Sequence, residues 1–518
     1  MKDKRLGATS FWFLFAHHKS NRTFWFALCN SNKKNRVLVL PLLYAVTWRI
    51  YMTHSVQSIL GPLYGVRGTK TSERRLTRLI ASLTGVRLNR RQAKRAFKAN
   101  FHDHIDCSVE YATILDQWDQ LYDFNLANFP FPEGVRAYWK AVGFDPASLA
   151  FPQEVIDAWR CGDRASKRTA VRLYRDWLLE HTSGKLFIYV QAILVHILPV
   201  MQTSDDVERI IRERVRMGVR NGEGVAELRG APQLHTLSGQ LDMEGATRAY
   251  IAGIACSPYP INLTLCALRH EDPKVAWELA KIAGKYRNQG VRVFDLAADE
   301  ESNSGVLQWW MKPAVLASLF GVDLTIHLWE TNQPTDDDIK RLNAFDLIVP
   351  QVRERLAAAG LAVEDVLTSA TVEASVSSII DEVIASVLAG EVPMNVDGKH
   401  LAGRLGHGFR GHRQGSRVCE VCFSSNVVTA QVKEFGEHPG HALFHEEGAL
   451  LSIATDGTTL IGIDGMLDEV MLLQKHGWDA KDILVSTVIG IMASSFTQAQ
   501  KMRLLRHCLD SWESVTCE

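Results

Sequence analysis

Two rhythms of apolar and polar positions divide this chain. From Cys107 to about Gly218, apolar residues recur at helical spacing. An aromatic-rich stretch runs from Trp118 to Trp139, followed by Val171 to Leu179, Phe187 to Leu198 and Val207 to Met217, with Phe129-Pro-Phe-Pro132 and Phe151-Pro152 as turns. Beyond this block, short apolar runs alternate with helical segments. The runs are Gly224 to Arg229, Ile261 to Leu268, Val291 to Leu296, Val322 to His327, Arg404 to His407, Val418 to Cys422 and Leu450 to Ala454; one more, Ala99 to Ile105, precedes the helical block. Eight such runs separated by helices predict an α/β fold, a parallel (β/α)8 barrel of TIM type. Two connections exceed an ordinary crossover. One is helical, about 107–218, after the first strand; the other spans 331–403 after the fifth, with helical patterns from Asp338 to Ala359 and from Val372 to Leu388. The second leaves the carboxyl-terminal face of the barrel and is a candidate lid or homo-oligomer contact.

Upstream of the first strand the pattern changes twice. Residues 1–51 show neither helical nor strand periodicity and read as a leader, with Met52 an alternative start. Phe11 to Phe15 and Val37 to Tyr51 are apolar, yet neither reaches the ~20 residues of a membrane span and Arg49 interrupts the second. Residues 52–96 form a basic helical extension: between Val66 and Asn100 eleven Lys and Arg face a single acid, Glu73, while Leu76, Leu79, Ile80 and Leu83 keep helical spacing. Either a solvated face or an acidic contact suits this stretch, and phosphate is the alternative partner. The barrel domain is then 97–518.

Composition narrows the function classes. Lys plus Arg and Asp plus Glu both number 58, so no net field favours nucleic acid or a membrane surface. The nine cysteines are scattered apart from Cys419 and Cys422, which argues for a reducing, cytoplasmic setting and for core thiols in the seventh strand. Trp309 and Trp310 read as packing between barrel and helix, and His438, His441 and His445 as solvated or capping residues.

In such a barrel, chemistry collects where strands end. His102 and His104, one residue apart on a strand, project to the same side. With His327 and Asp456 they form a nitrogen and oxygen donor set that suits one Zn²⁺ per subunit and leaves a position for water, whose pKa the ion lowers towards ~7. His407 is placed to accept a proton and orient the nucleophile, with Asp456 acting as both ligand and acceptor. Glu330 lies just past the fifth strand and is placed to protonate a ring nitrogen. Arg229 is equally a ligand contact or the buried partner of a strand-end acid.

The motifs Phe101-His-Asp-His-Ile-Asp106, Leu265-Cys-Ala-Leu-Arg-His270, Phe294-Asp-Leu-Ala-Ala-Asp-Glu300, Thr325-Ile-His-Leu-Trp-Glu330, Arg404-Leu-Gly-His-Gly408, Cys419-Glu-Val-Cys-Phe-Ser-Ser-Asn426, Ser452-Ile-Ala-Thr-Asp456 and Ala493-Ser-Ser-Phe496 occur in one order. Together they resemble the adenosine deaminase family of zinc-dependent barrels over residues 97–515. The resemblance implies hydrolytic deamination at C6 of a purine, with release of ammonia, and gives His102, His104, His327, Asp456, Glu330 and His407 the roles above. It places Asp106, beside His104, against a ribose 5′-hydroxyl, and puts Ala298 and Gly457 at the base. Three departures alter the base pocket. Ala298 and Trp329 stand where the family has glycine, and Gly457 stands where it has a second Asp that binds purine N7. The expected substrate is therefore an adenine nucleoside or nucleotide, with Arg229, Arg269 or the basic helix meeting any phosphate. Asp106 argues against a 5′-monophosphate beside it. The alternatives are an antiphage (d)AMP or (d)ATP deaminase working with defence partner proteins, a deaminase of another purine-like ring, and a non-enzymatic assembly protein.

Overall fold

Long apolar runs with few charges suit strands covered on both faces, and eight such regions close into one barrel. The computed structural model describes residues 56–57, 59–300, 307–392, 400–411 and 417–516; residues 1–51, expected to form a leader, lie outside them. All but Val56 and Gln57 belong to one unit, Ile59–Glu518. The strands are β1 (Lys98–His104), β2 (Glu223–Gly230), β3 (Ile261–Leu268), β4 (Val291–Ala297), β5 (Asp323–Leu324), β6 (His327–Leu328), β7 (Arg404–His407), β8 (Val418–Val421) and β9 (Leu451–Ile453). All pair in parallel, in sequence order, as β1 to β5 and β6 to β9.

The single fifth strand expected from Val322 to His327 is instead split. β5 pairs with β4 and β6 with β7, and the two residues between them carry the ladder across: Thr325 N donates to Phe294 O at 3.0 Å, and Gly406 N to Ile326 O at 2.7 Å. On the other side, Asp456 N donates to His102 O at 2.8 Å and His104 N to Asp456 O at 2.6 Å, joining the last strand to the first. The barrel is thus closed by the same segments that carry three of the four expected metal ligands.

The 107–218 stretch folds as successive helices, among them Tyr111–Tyr122, Arg164–Thr182 and Ser204–Asn221. Its core is aromatic: the Trp118 indole donates to His196 O at 2.8 Å and Tyr174 Oη lies 3.0 Å from His196 Nδ1. In the second insertion, Asp336–Ala358 and Ala370–Ala389 pack on each other and on Leu307–Leu319, outside the strands. Trp277 of an outer helix donates to Glu373 at 2.6 Å. In the basic extension, Thr69–Leu83 buries Leu76, Leu79, Ile80 and Leu83, and packs against Gln498–Thr516. Arg75 pairs with Asp510 and Glu513 of that helix, so an acidic contact within the chain meets this part of the charge. No single helix among the described residues is long and apolar enough to cross a membrane.

Candidate active site

Strand alternation sets the site. His102 and His104 of β1 point into the barrel mouth, while Asp103 between them is gripped from the other side by Arg214 Nε at 2.8 Å, Ser108 Oγ at 2.6 Å and Asn100 Nδ2 at 2.9 Å. His327 comes from β6 and Asp456 from the turn after β9. One ligand atom from each of these four residues lies within 4.8 Å of the others. His104 Nε2 and His327 Nε2 are 2.9 Å apart; Asp456 Oδ1 is 3.4 Å from His102 Nε2 and 3.6 Å from His104 Nε2.

The donor set fits a metal ion. His102 Nε2 is buried, faces the cluster and has no hydrogen-bond partner, a costly arrangement unless a ligand takes its lone pair. Burial, then the neighbouring His327, depresses the His104 pKa well below the usual range, and burial also lowers His327, so both rings present neutral nitrogens. Burial would raise the Asp456 carboxyl, but the approach of His102 and the charges of His407 and His104 outweigh it and keep it ionised. Ser425 Oγ donates to Asp456 Oδ2 at 2.5 Å.

Behind these four side chains lies a buried charge layer that orients them. Asp295 Oδ2 is 2.9 Å from His327 Nδ1, and Glu420 Oε2 is 3.4 Å from His102 Nδ1. Arg229, fully buried, bridges these two acids, 2.8 Å from Asp295 and in contact with Glu420, and also donates to Phe101 O at 3.0 Å. Burial raises the Glu420 carboxyl, but Arg229 and Arg404 overcome this and bring it to about 2. Of the two readings of Arg229, the geometry is that of a buried partner, since its guanidinium is occupied beneath the ligands and does not reach the mouth. Arg269 is likewise committed, to the His327 carbonyl.

Glu330 and His407 face each other at the mouth, His407 Nε2 lying 3.5 Å from Glu330 Oε2. Burial, then the charges of Asp456 and Glu300, pushes the Glu330 pKa well above the usual carboxyl range. The loop that carries it is pinned by Glu300, whose carboxylate accepts from the backbone N–H groups of Trp329 (2.8 Å), Glu330 (3.0 Å), Thr331 (3.0 Å) and Asn332 (3.3 Å). Asn426 Nδ2 lies 3.1 Å from both Glu330 Oε1 and His407 Nδ1. His438 caps the Pro439–His445 helix and bonds to Asn426; it is buried rather than solvated.

The residues expected on the substrate side lie near the same cluster. Asp106 is buried, 3.8 Å from His104, and raised to about 7, chiefly by burial. Ala298 follows β4 at φ 79°. A Cβ on Gly457 would meet Cys107 Cβ at 2.6 Å and Cys107 O at 2.9 Å, so the backbone leaves no space for the Asp expected there. Trp329 is buried, and a Cβ on Gly411 would lie 1.8 Å from its ring. Gly411 thus gives the Trp329 ring the room it occupies.

Asp295, Glu420, Glu300 and Asn426 were not assigned roles from the sequence, and His438 was read only as a solvated or capping residue. The available signal was a charged residue inside an apolar strand, as in Val291-Arg-Val-Phe-Asp295 and Val418-Cys-Glu420.

A parallel barrel that gathers four donors, a buried acid and an imidazole at its carboxyl-terminal mouth defines a barrel hydrolase with a metal-binding cluster. More specifically, the chain belongs to the adenosine deaminase family, whose model, described as Adenosine deaminase, matches residues 170–343 and 368–512, more than half of the chain. His327, Glu330, His407 and Asp456 fall within the match, whereas His102, His104 and Asp106 precede it. An adenosine deaminase of Mycobacterium avium (strain 104) is 26% identical over 414 residues, 78% of this chain and 92% of the relative. A probable adenosine deaminase of Dictyostelium discoideum is 23% identical over 58% of this chain, which spans only 35% of that longer protein. Among solved structures, Arabidopsis N6-mAMP deaminase MAPDA aligns with a TM-score of 0.53 at 16% identity, covering 81% of this chain and 98% of its own. A Burkholderia ambifaria amidohydrolase with bound Zn aligns with a TM-score of 0.53 at 14% identity, covering 83% and 95%. These two share the fold.

Proposed function

We propose that this chain performs hydrolytic deamination of an adenine nucleoside or nucleotide at C6, yielding the inosine form and ammonia, with Zn²⁺ held by His102, His104, His327 and Asp456. The observation that carries the reading is the four-residue donor cluster lying beside a buried carboxyl, Glu330, which faces His407 at 3.5 Å. The bound ion would supply charge stabilisation and a water of lowered pKa.

The chain's own residues account for the rest. Glu330, protonated because burial disfavours its anion, donates to a ring nitrogen and makes the adjacent carbon electrophilic. Asp456, held ionised, is the acceptor at the nucleophile side, and His407 orients the attacking oxygen. Asp106 offers its unpartnered Oδ1 to the sugar. The base pocket differs from the family pattern, with Cys107 occupying the space of the missing carboxyl at 457. Because Arg229 and Arg269 are committed inside the barrel, a phosphate on the substrate must be met by other groups. The seven described cysteines are free thiols, in keeping with a reducing cytoplasm.

The test is ammonia release across adenosine, deoxyadenosine, AMP, dAMP, ATP and dATP, alongside the zinc content of the purified protein. Stoichiometric zinc and turnover of at least one compound are expected. Zinc-free protein with no turnover overturns the reading.

A further inference from the structure

We propose that Asn426 and His438 form a proton-ordering relay that fixes the tautomer of His407 and the position of the Glu330 acid proton. This makes them positioning residues for the deamination proposed above, on which the inference rests. Neither touches the metal donors' ligand atoms, and both are buried, at 0% and 2% exposure.

The relay starts at a group with no choice. The backbone N–H of Gly440 can only donate, and it donates to His438 Nδ1 at 2.9 Å. Burial, reinforced by His441, lowers the His438 pKa to about 3, so the ring is neutral and carries its one proton on Nε2. That nitrogen lies 3.1 Å from Asn426 Oδ1, which accepts. The amide orientation is thereby set, because the flipped amide would require both nitrogens of His438 to accept. Asn426 Nδ2 then has two protons and two acceptors, His407 Nδ1 and Glu330 Oε1, each at 3.1 Å.

Two consequences follow at the reacting face. His407 accepts at Nδ1, so its neutral ring carries the proton on Nε2, the nitrogen that faces Glu330 Oε2. Glu330 accepts at Oε1, so its acid form holds the proton on Oε2. One amide thus presents two donors to the substrate space, the Glu330 O–H and the His407 N–H. Proton uptake from the nucleophile falls to Asp456, and His407 acts as a donor rather than as a base.

The test pairs kinetics with the nitrogen resonances of His407 in protein carrying ¹⁵N-labelled histidine, the signals assigned by their loss in His407→Asn. In the wild type Nδ1 should resonate as a bare acceptor nitrogen and Nε2 as a protonated one. Asn426→Asp offers acceptors only and should move the His407 proton to Nδ1. It should also lower kcat roughly 100-fold or more with KM within about threefold, since a wrong tautomer damages proton transfer rather than binding. His438→Gln keeps a side-chain donor and should recover most of the kcat lost in His438→Ala. A His407 ring protonated at Nδ1 in the wild type, or an Asn426→Asp enzyme with undiminished kcat, overturns the relay. A wild type that releases no ammonia counts against the deaminase reading alone, and the resonances still decide the tautomer.

Discussion

Four side chains at the mouth hold backbone conformations that suit glycine. Ala298, Trp329, His407 and Asp456 have φ of 79°, 61°, 59° and 67°, each at or just past a strand end. Left-handed backbone costs an ordinary residue roughly 1–2 kcal/mol and persists where surroundings over-determine it. At His407 and Asp456 the strain aims the groups proposed to act in the reaction. At Ala298 no polar group is gained, and the methyl stands on the proposed base side. Ala298→Gly should therefore raise the thermal midpoint slightly, the relieved strain exceeding the added freedom of the unfolded chain, and should lower KM for purine nucleosides; a melt and a Michaelis plot check both. Glu330→Gln keeps size and hydrogen bonds but removes the acid proton. Its kcat should fall at least about 100-fold with zinc content unchanged, whereas full activity would show that Glu330 is not the acid. The four side chains that the structure clusters, with Glu330 and His407 beside them, were all readable from strand-end chemistry. Asp295 and Glu420 were not, because a carboxylate in an apolar strand gives no hint of which imidazole it faces until the strands are ordered.

At the scale of elements, position depends on anchors as much as on ladders. The Trp329 to Asn332 turn owes its shape to Glu300, whose carboxylate collects four backbone N–H groups. Glu300→Ala should lower kcat and raise KM together while zinc content holds, as expected of a loop that carries the proposed acid but none of the proposed metal donors. A second anchor has a pH signature. Glu469, on the Met466–Lys475 helix, accepts from Ser424 N at 3.1 Å and from the Ser424 hydroxyl, tying that helix to Phe423–Val428. Burial raises its pKa from 4.5 to about 7, against the Ser424 bonds that favour the anion. With the folded pKa above the unfolded one, its contribution is fully present below about pH 4.5 and is lost as pH rises through about 7, a change of roughly 3 kcal/mol. Glu469→Gln should flatten the stability profile across that window; an unchanged profile would show that Glu469 does not titrate there. Ile261–Leu268 and Arg404–His407 coincide with the runs read from the sequence. The fifth strand does not, because its two ends serve different neighbours and hydropathy does not record pairing partners. The basic helix was readable as a helix, but the acids on its partner lie more than 400 residues away in the chain.

At the scale of the whole molecule, the cluster able to hold a metal and the closure of the barrel are one structure. His102 and His104 arrive on the first strand, His327 on the split fifth, and Asp456 just after the last, where its backbone bonds to that of His102 and His104. An ion shared by these four residues binds only the closed barrel, so its binding free energy adds to folding. The order of the strands and the closure of the barrel were readable from the rhythm of the chain, but this coupling was not, because hydropathy does not record that the Asp456 turn bonds to the backbone of His102 and His104. Stripping the metal with a chelator should lower the melting temperature. Restoring zinc at about 1,000 times its dissociation constant should return roughly 4 kcal/mol. His102→Ala should melt at the same temperature with or without zinc, since it lacks a ligand, while Glu330→Gln should keep the full zinc response because its carboxyl lies outside the donor set. A wild-type protein whose melting ignores both chelator and zinc would mean that the ends of the barrel are joined by their backbone bonds alone, and that the four donors meet without a shared ion.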